Sequence, residues 1–362
     1  MSGPRVLLIG GDGIGPEVVE AARRVLEAAV RRFGRELTFV DGLMGGQAID
    51  RGLGALPDST LERALDSQAV LLGAVGGPRW DHLPGPERPE AGLLKLRRAL
   101  GAFANLRPVR VFPGLEDAGP LRPELARGSD LVIVRELNSG LYYGARGRRQ
   151  VDGDELAFDT LEYTRSQVVQ VGRVAFELAR SRRRRLCMVD KANILESSRL
   201  WRKTVQELAR EYPDVECTFQ YVDACAMRLV MSPRSFDVIL TENMFGDILS
   251  DEAAVLAGSL GMLPSASIGG PVGLYEPVHG TAPDIAGQGV ANPIGAILSG
   301  ALLMRYSLGW EAEARAVEAA VESVLQAGYR TPDLAQGLPG GTGDRVVGTD
   351  RMTELIVGAM VG

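Results

Sequence analysis

Short apolar, β-branched runs alternating with segments of helical periodicity predict an α/β protein, with a mostly parallel sheet and helices on both faces. The length of 362 residues exceeds one ordinary hydrophobic core and fits two domains. The glycine-rich turn Gly10-Gly11-Asp12-Gly13-Ile14-Gly15 fails the dinucleotide fingerprint, because Pro16 stands where a glycine or alanine is required. A Rossmann fold is therefore not expected, and the turn is read as a loop at a sheet's carboxyl edge, able to approach a ligand.

Composition narrows the function. A net charge of −6 argues against an electrostatic hold on nucleic acid or anionic lipid, so neither is expected as a partner. Cys187, Cys217 and Cys225 are odd in number and lack C-x-x-C spacing, which suggests neither a disulfide framework nor a zinc site. No segment reaches the ~20 apolar residues of a membrane span, and a reducing cytoplasm is the expected location. The only lysines are Lys95, Lys191 and Lys203 in an arginine-rich chain.

In chain order, Val6 to Ile9 reads as a buried strand and Pro16 to Phe33 as an amphipathic helix. Strands at Leu37 to Val40 and Ala69 to Ala74 flank a helix near Asp58 to Leu65. Residues 76–92 are dense in proline and glycine and form a long loop of the functional kind. A helix from Gly92 to Leu100 precedes an extended run, Phe103 to Phe112, which leads into a second domain. There follow a strand at Leu131 to Val134 and a glycine- and charge-rich arm around 138–158. A helix at Val168 to Ala179, a strand at Leu186 to Val189, a helix at Leu200 to Leu208 and a strand at Val215 to Val222 come next. The basic run Arg182 to Arg185 lacks interleaved aromatics and reads as a solvated helix end. The expected partition is 1–102 with 258–362 as one domain and 103–257 as the other. Helices at Ile294 to Tyr306 and Glu311 to Leu325, a loop at Gly337 to Gly343 and a terminal helix close the chain.

Chemistry concentrates in 236–254, where a buried strand, Phe236 to Leu240, turns into a helix from Asn243 onward. Asp247 and Asp251, four apart, stand about 40° and about 6 Å from each other on that helix. Their oxygens suit Mg²⁺ or Mn²⁺, and Phe245-Gly246 with Ile248 and Leu249 give the pair apolar flanks rather than a solvated face. Arg97, Arg107 and Arg135 are candidate clamps for a substrate with more than one carboxylate, while Arg98 points elsewhere on its helix. Lys191 and Asp223 each follow an apolar strand, where α/β sites gather, and Tyr142 is a candidate proton donor.

With these residues assembled, the chain resembles the β-decarboxylating dehydrogenases, the family of 3-isopropylmalate and isocitrate dehydrogenases. The likeness runs in order through GDGIGPEVV, GLLKLRR, FANLRP, VREL, VDKANIL, YVDACAM, FGDILSDE, EPVHGTAPDIAG and ANP, nearly the whole length. It implies the family's two-domain fold with a dimer arm, and a homodimer in which Asp223 and Lys191 reach the site from the second subunit. It further implies that Asp223, Asp247 and Asp251 hold the metal, that Lys191 assisted by Asp223 takes the hydroxyl proton, and that Tyr142 protonates the enolate carbon. Arg97, Arg107 and Arg135 would grip the malate carboxylates. The cofactor segment would be His279, Gly280, Thr281, Ala282, Pro283 and Asp284, with Ile285, Ala291 and Asn292, and a second segment from Gly77 to Glu90. A carboxylate at Asp284, with Ile285 after it, repels a 2′-phosphate and favours NAD⁺ over NADP⁺.

Leu93, Leu94 and Ile194 offer apolar surface for an isopropyl group, where isocitrate's third carboxylate would need a hydroxyl or a cation. The implied reaction is NAD-dependent oxidative decarboxylation of 3-isopropylmalate in leucine biosynthesis. One departure bears on it: RELNSGLYYG stands where these enzymes generally read RELTGGIYFG, so Asn138, Ser139, Leu141 and Tyr143 differ around Tyr142. D-malate, tartrate or another 3-alkylmalate is the alternative substrate. A non-catalytic regulatory subunit is the alternative of another class, disfavoured because Lys191, Tyr142 and all three aspartates are retained.

Overall fold

The computed structural model describes residues 3–335 and 345–361. The chain divides into two compact units, the first made of Met1–Ala102, Arg110–Ser129 and Ala254–Gly362, the second of Phe103–Val109 and Asp130–Ala253. Residues 110–129, which the sequence assigned to the second domain, thus group with the first unit, as do 254–257. The loop expected at Gly337 to Gly343 lies outside the described residues.

The first unit carries strands β1 (Arg5–Gly11), β2 (Thr38–Gly42) and β3 (Ala69–Ala74). The second carries β4 (Ala104–Arg110), β5 (Asp130–Glu136), an exposed hairpin of β6 (Arg146–Val151) and β7 (Asp154–Asp159), β8 (Arg185–Asp190), β9 (Glu216–Tyr221) and β10 (Val238–Thr241). The first unit then resumes with β11 (Pro264–Ile268) and β12 (Gly273–Pro277). Strand order is β2-β1-β3-β12-β11 in the first unit and β4-β5-β10-β8-β9 in the second. β1 pairs in parallel with β2 and β3, β3 with β12, β10 with β5 and β8, and β8 with β9, whereas β11 against β12 and the hairpin are antiparallel. This is the layered α/β architecture expected, without a Rossmann site.

In the first unit, Leu7, Ile9, Val70, Leu72 and Leu274 from the sheet pack with Leu96 and Leu100 of the helix Pro89–Leu100, all but fully buried. Helix Ile294–Tyr306 is buried along nearly its whole length, which explains why its sequence is apolar on every face. In the second unit, helix Arg165–Ser181 starts in a capping box formed by Thr164 and Gln167. The basic run departs from expectation. Arg182 is half-buried and bonds Asp130 and the fully buried Asp237 at 2.8 Å each, so it staples the start of β8 rather than fraying into solvent.

Candidate active site

In the second unit the helix Asn243–Ala254 follows β10 directly, as its sequence predicts, and presents both aspartates toward arginines from two neighbouring strands. Arg107 on β4 lies 3.3 Å from Asp247 and 3.3 Å from Asp251, and is steadied by Ser250 Oγ at 2.6 Å and Asn105 Oδ1 at 2.9 Å. Arg135, in β5 and 3% exposed, pairs with Asp247 through Nη1. The Tyr142 hydroxyl donates to Asp247 Oδ2 at 2.9 Å, with the Arg135 guanidinium 5.6 Å from its ring centre. Arg107, Arg135, Tyr142, Asp247 and Asp251 therefore converge within one unit.

The electrostatics suit a proton donor beside a cation site. Burial and the Asp247 charge push the Tyr142 hydroxyl above its ordinary pKa, so it keeps its proton at neutral pH. Burial also raises Asp251, against the pull of Arg107. Two carboxylates one turn apart give hard oxygen ligands of the kind Mg²⁺ and Mn²⁺ take. Among the described residues, no group of three His, Cys, Asp or Glu side chains stands together for a metal, and two carboxylates with waters or substrate oxygens already make a coordination set of the Mg²⁺ kind.

Lys191 and Asp223 form a separate pair. Lys191 follows β8, and its Nζ donates to Asp223 Oδ1 at 2.8 Å; that contact holds the Asp223 carboxyl below its usual range. Asp223 sits in the first turn of the helix Val222–Met231 rather than at a strand end, since β9 stops at Tyr221. Its side chain is 65% exposed. Exposed apolar side chains include Ile194, three residues after Lys191, Met227, Val230 and Met231 on the Asp223 helix, and Ile248 on the aspartate-bearing helix.

In the first unit the two cofactor segments meet. Thr281 O accepts the Ile14 N–H at 2.8 Å, and a Cβ on Gly13, whose φ is +58°, would stand 2.0 Å from that oxygen. A Cβ on Gly77 would face Thr281 Oγ1, and one on Gly76 would strike the Glu90 carboxylate. Within the glycine-rich turn the buried Asp12 carboxylate accepts N–H bonds from Gly46, Gln47 and Gly76 at 2.8, 2.9 and 3.0 Å, while Gly13 stays exposed. His279 Nδ1 donates to Gly280 O at 2.9 Å, leaving Nε2 buried without a partner, and burial lowers the ring's pKa so that it stays neutral. Open space lies above Gly280, Ala282 adopts a left-handed φ of +38°, and Pro283 and Asp284 are exposed beside the half-buried Ile285. Ala291 and Asn292 are buried; Thr349 donates to Ala291 O, and Asn292 Nδ2 to Asp333 Oδ2 at 3.1 Å. An exposed loop with an unpaired ring nitrogen and an uncovered glycine fits a bound dinucleotide.

Arg97 is engaged by Glu276 of β12, and Arg98 on the same helix is exposed. Leu94 is 37% exposed, whereas Leu93 is partly committed to the core cluster. Sequence reading missed Asn243, Glu242, Tyr163, Glu136 and Asp333. Of these, only Asn243, an N-cap residue type at the start of a helix, carried a local cue; Glu242, whose carboxylate accepts the Met244 and Phe245 amides, did not.

Comparison with known proteins shows the family. The family model described as isocitrate/isopropylmalate dehydrogenase matches residues 5–356. A 3-isopropylmalate dehydrogenase of Moorella thermoacetica is 56% identical over 97% of this chain and 98% of its own. One of Pseudomonas putida is 52% identical over 98% of each. Among solved structures, an isocitrate dehydrogenase of Methylococcus capsulatus superposes with a TM-score of 0.86 at 37% identity over all of both chains. A β-decarboxylating dehydrogenase of Thermococcus kodakarensis gives 0.79 at 38%, covering 100% of this chain and 96% of its own. Two carboxylates under two arginines, with a tyrosine beside them, are thus carried on a chain that belongs to the isocitrate/isopropylmalate dehydrogenase family.

Proposed function

We infer that this protein catalyses the NAD-dependent oxidative decarboxylation of (2R,3S)-3-isopropylmalate to 4-methyl-2-oxopentanoate and CO₂, in leucine biosynthesis in the cytoplasm. The observation that carries it is the convergence of Arg107, Arg135 and Tyr142 on the Asp247/Asp251 pair, within a chain more than half identical to relatives of that name. When bound, a divalent ion supplies Lewis acidity at the substrate's 2-hydroxyl, and the nicotinamide of NAD⁺ supplies a hydride acceptor for C2.

The chain's own groups do the rest. Arg97, Arg107 and Arg135 clamp the malate carboxylates. Lys191, as its neutral amine and oriented by Asp223, takes the 2-hydroxyl proton and becomes the ammonium. Once C2 is a ketone it accepts the electron pair freed as the carboxylate on C3 leaves as CO₂, and Tyr142 returns a proton to C3. Asp247, Asp251 and Asp223 are the metal ligands. His279 to Ile285, Ala291 and Asn292, with Gly77 to Glu90, receive the dinucleotide, and Asp284 selects against a 2′-phosphate. Leu93, Leu94 and Ile194 face the isopropyl group.

The Lys191/Asp223 pair, with exposed Met227, Val230 and Met231 on the Asp223 helix and Ile248 on the aspartate-bearing helix, supports a homodimer with shared sites. Burying those side chains against a second copy would bring its Asp223 to the Asp247/Asp251 pair as a third carboxylate. The test is NADH absorbance with 3-isopropylmalate, D-malate, tartrate and longer 3-alkylmalates, with and without chelator. Turnover is expected to favour isopropylmalate and to vanish with chelator. Equal or faster D-malate turnover would overturn the substrate, a choice on which the variation at Asn138, Ser139, Leu141 and Tyr143 bears directly.

A further inference from the structure

The geometry points to Asn243 as a positioning residue that, through the two ends of one side-chain amide, sets the carboxylate clamp and the proton donor independently. Asn243 opens the helix that bears the aspartates and is fully buried. Its Oδ1 accepts from Arg135 Nε at 3.0 Å and Nη2 at 2.7 Å. That fixes one edge of the guanidinium and leaves Nη1 directed at Asp247. Its Nδ2 donates to Leu137 O at 3.2 Å and Ser139 O at 3.0 Å, the two carbonyls that lead into the turn Gly140–Tyr142. Its backbone N–H donates to the Tyr163 hydroxyl at 3.0 Å, which in turn donates to Glu242 at 3.0 Å.

Every hydrogen-bonding position of the side-chain amide is used, two acceptor contacts on Arg135 and two donor contacts on the turn. The two duties fall on different atoms, so they can be separated chemically. An aspartate at 243 still accepts from Arg135 but has no donor for the turn carbonyls, which its charge repels. An alanine does neither. This inference rests on the roles given above to Arg135 and Tyr142.

The experiment compares Asn243→Asp and Asn243→Ala with the unaltered dimer. Substrate binding is measured by calorimetry with isopropylmalate and Mg²⁺, turnover by NADH absorbance, and the solvent deuterium isotope effect on kcat reports proton return. Asn243→Asp is expected to bind substrate within about threefold of the parent while kcat falls by at least about thirtyfold and the isotope effect rises. Asn243→Ala is expected to lose binding by about tenfold or more in addition. Tyr163→Phe, which leaves the amide intact and removes its backbone anchor, should give a smaller loss of kcat with binding unchanged. It keeps the question open to refutation should Asn243→Asp not fold. Parallel losses of binding and kcat in Asn243→Asp, or no change in any variant, would overturn the inference. Absence of turnover in the unaltered protein would instead overturn the proposed function.

Discussion

Asp247 is shared: Oδ1 meets Arg107 and Arg135, and Oδ2 receives the Tyr142 hydroxyl. Asp247→Asn removes a charge that the buried Arg135 and the largely buried Arg107 face, and should cut turnover by about 10³-fold or more while weakening Mg²⁺ binding, read by activity and by metal titration. Tyr142→Phe keeps the packing and loses the proton, so kcat should fall by about 10²- to 10⁴-fold. Behind this group lies Glu136, 2% exposed, whose carboxylate accepts N–H bonds from Asn138 and Ser139 but is pushed by burial to about 7. A carboxyl raised on folding binds its proton more tightly in the native state. Its favourable contribution is full below the unfolded value and is lost as pH rises through about 7. Urea denaturation at pH 5 and pH 8.5 should therefore show Glu136→Gln gaining on the parent by up to about 3 kcal/mol between the two pH values.

At the scale of elements, the aspartate-bearing helix was legible because strand, turn and four-residue spacing are local. Its anchoring was not, because Asn243 meets carbonyls 104 and 106 residues away and Tyr163 lies 80 away. The same limit applied to the glycine-rich turn, whose sequence announces tight backbone without saying what fills it. Residues 110–129 read as a continuation of the second domain because nothing local marks the chain's return to the first unit. The turn and the 279–285 loop are locked through Gly13 and Thr281. Gly13→Ala would force that loop aside from a position where a side chain is already strained at φ +58°. NADH fluorescence titration should show binding weakened by about tenfold without any contact residue being altered.

For the whole molecule, fold class and chemistry were readable, since alternating periodicity gives the sheet and in-order motifs give the family. The number of chains per site was not readable from periodicity; it came with the resemblance. A shared site makes a quantitative prediction. Lys191→Ala and Asp247→Asn chains, each inactive alone, should recover about a quarter of parental activity when dissociated and reassociated in equal amounts, because half the dimers then carry one intact site. Purely internal sites would recover none. Ile248→Glu with Met227→Glu should yield monomers by sedimentation and abolish turnover.

The carboxylate of Asp12, clasped by three amides at the mouth of the first unit's strands, behaves as a tethered surrogate for the diffusible anion that such a nest would otherwise attract. The seat comes with its tenant already covalently attached. Inorganic phosphate or pyrophosphate should then find no purchase on those three amides.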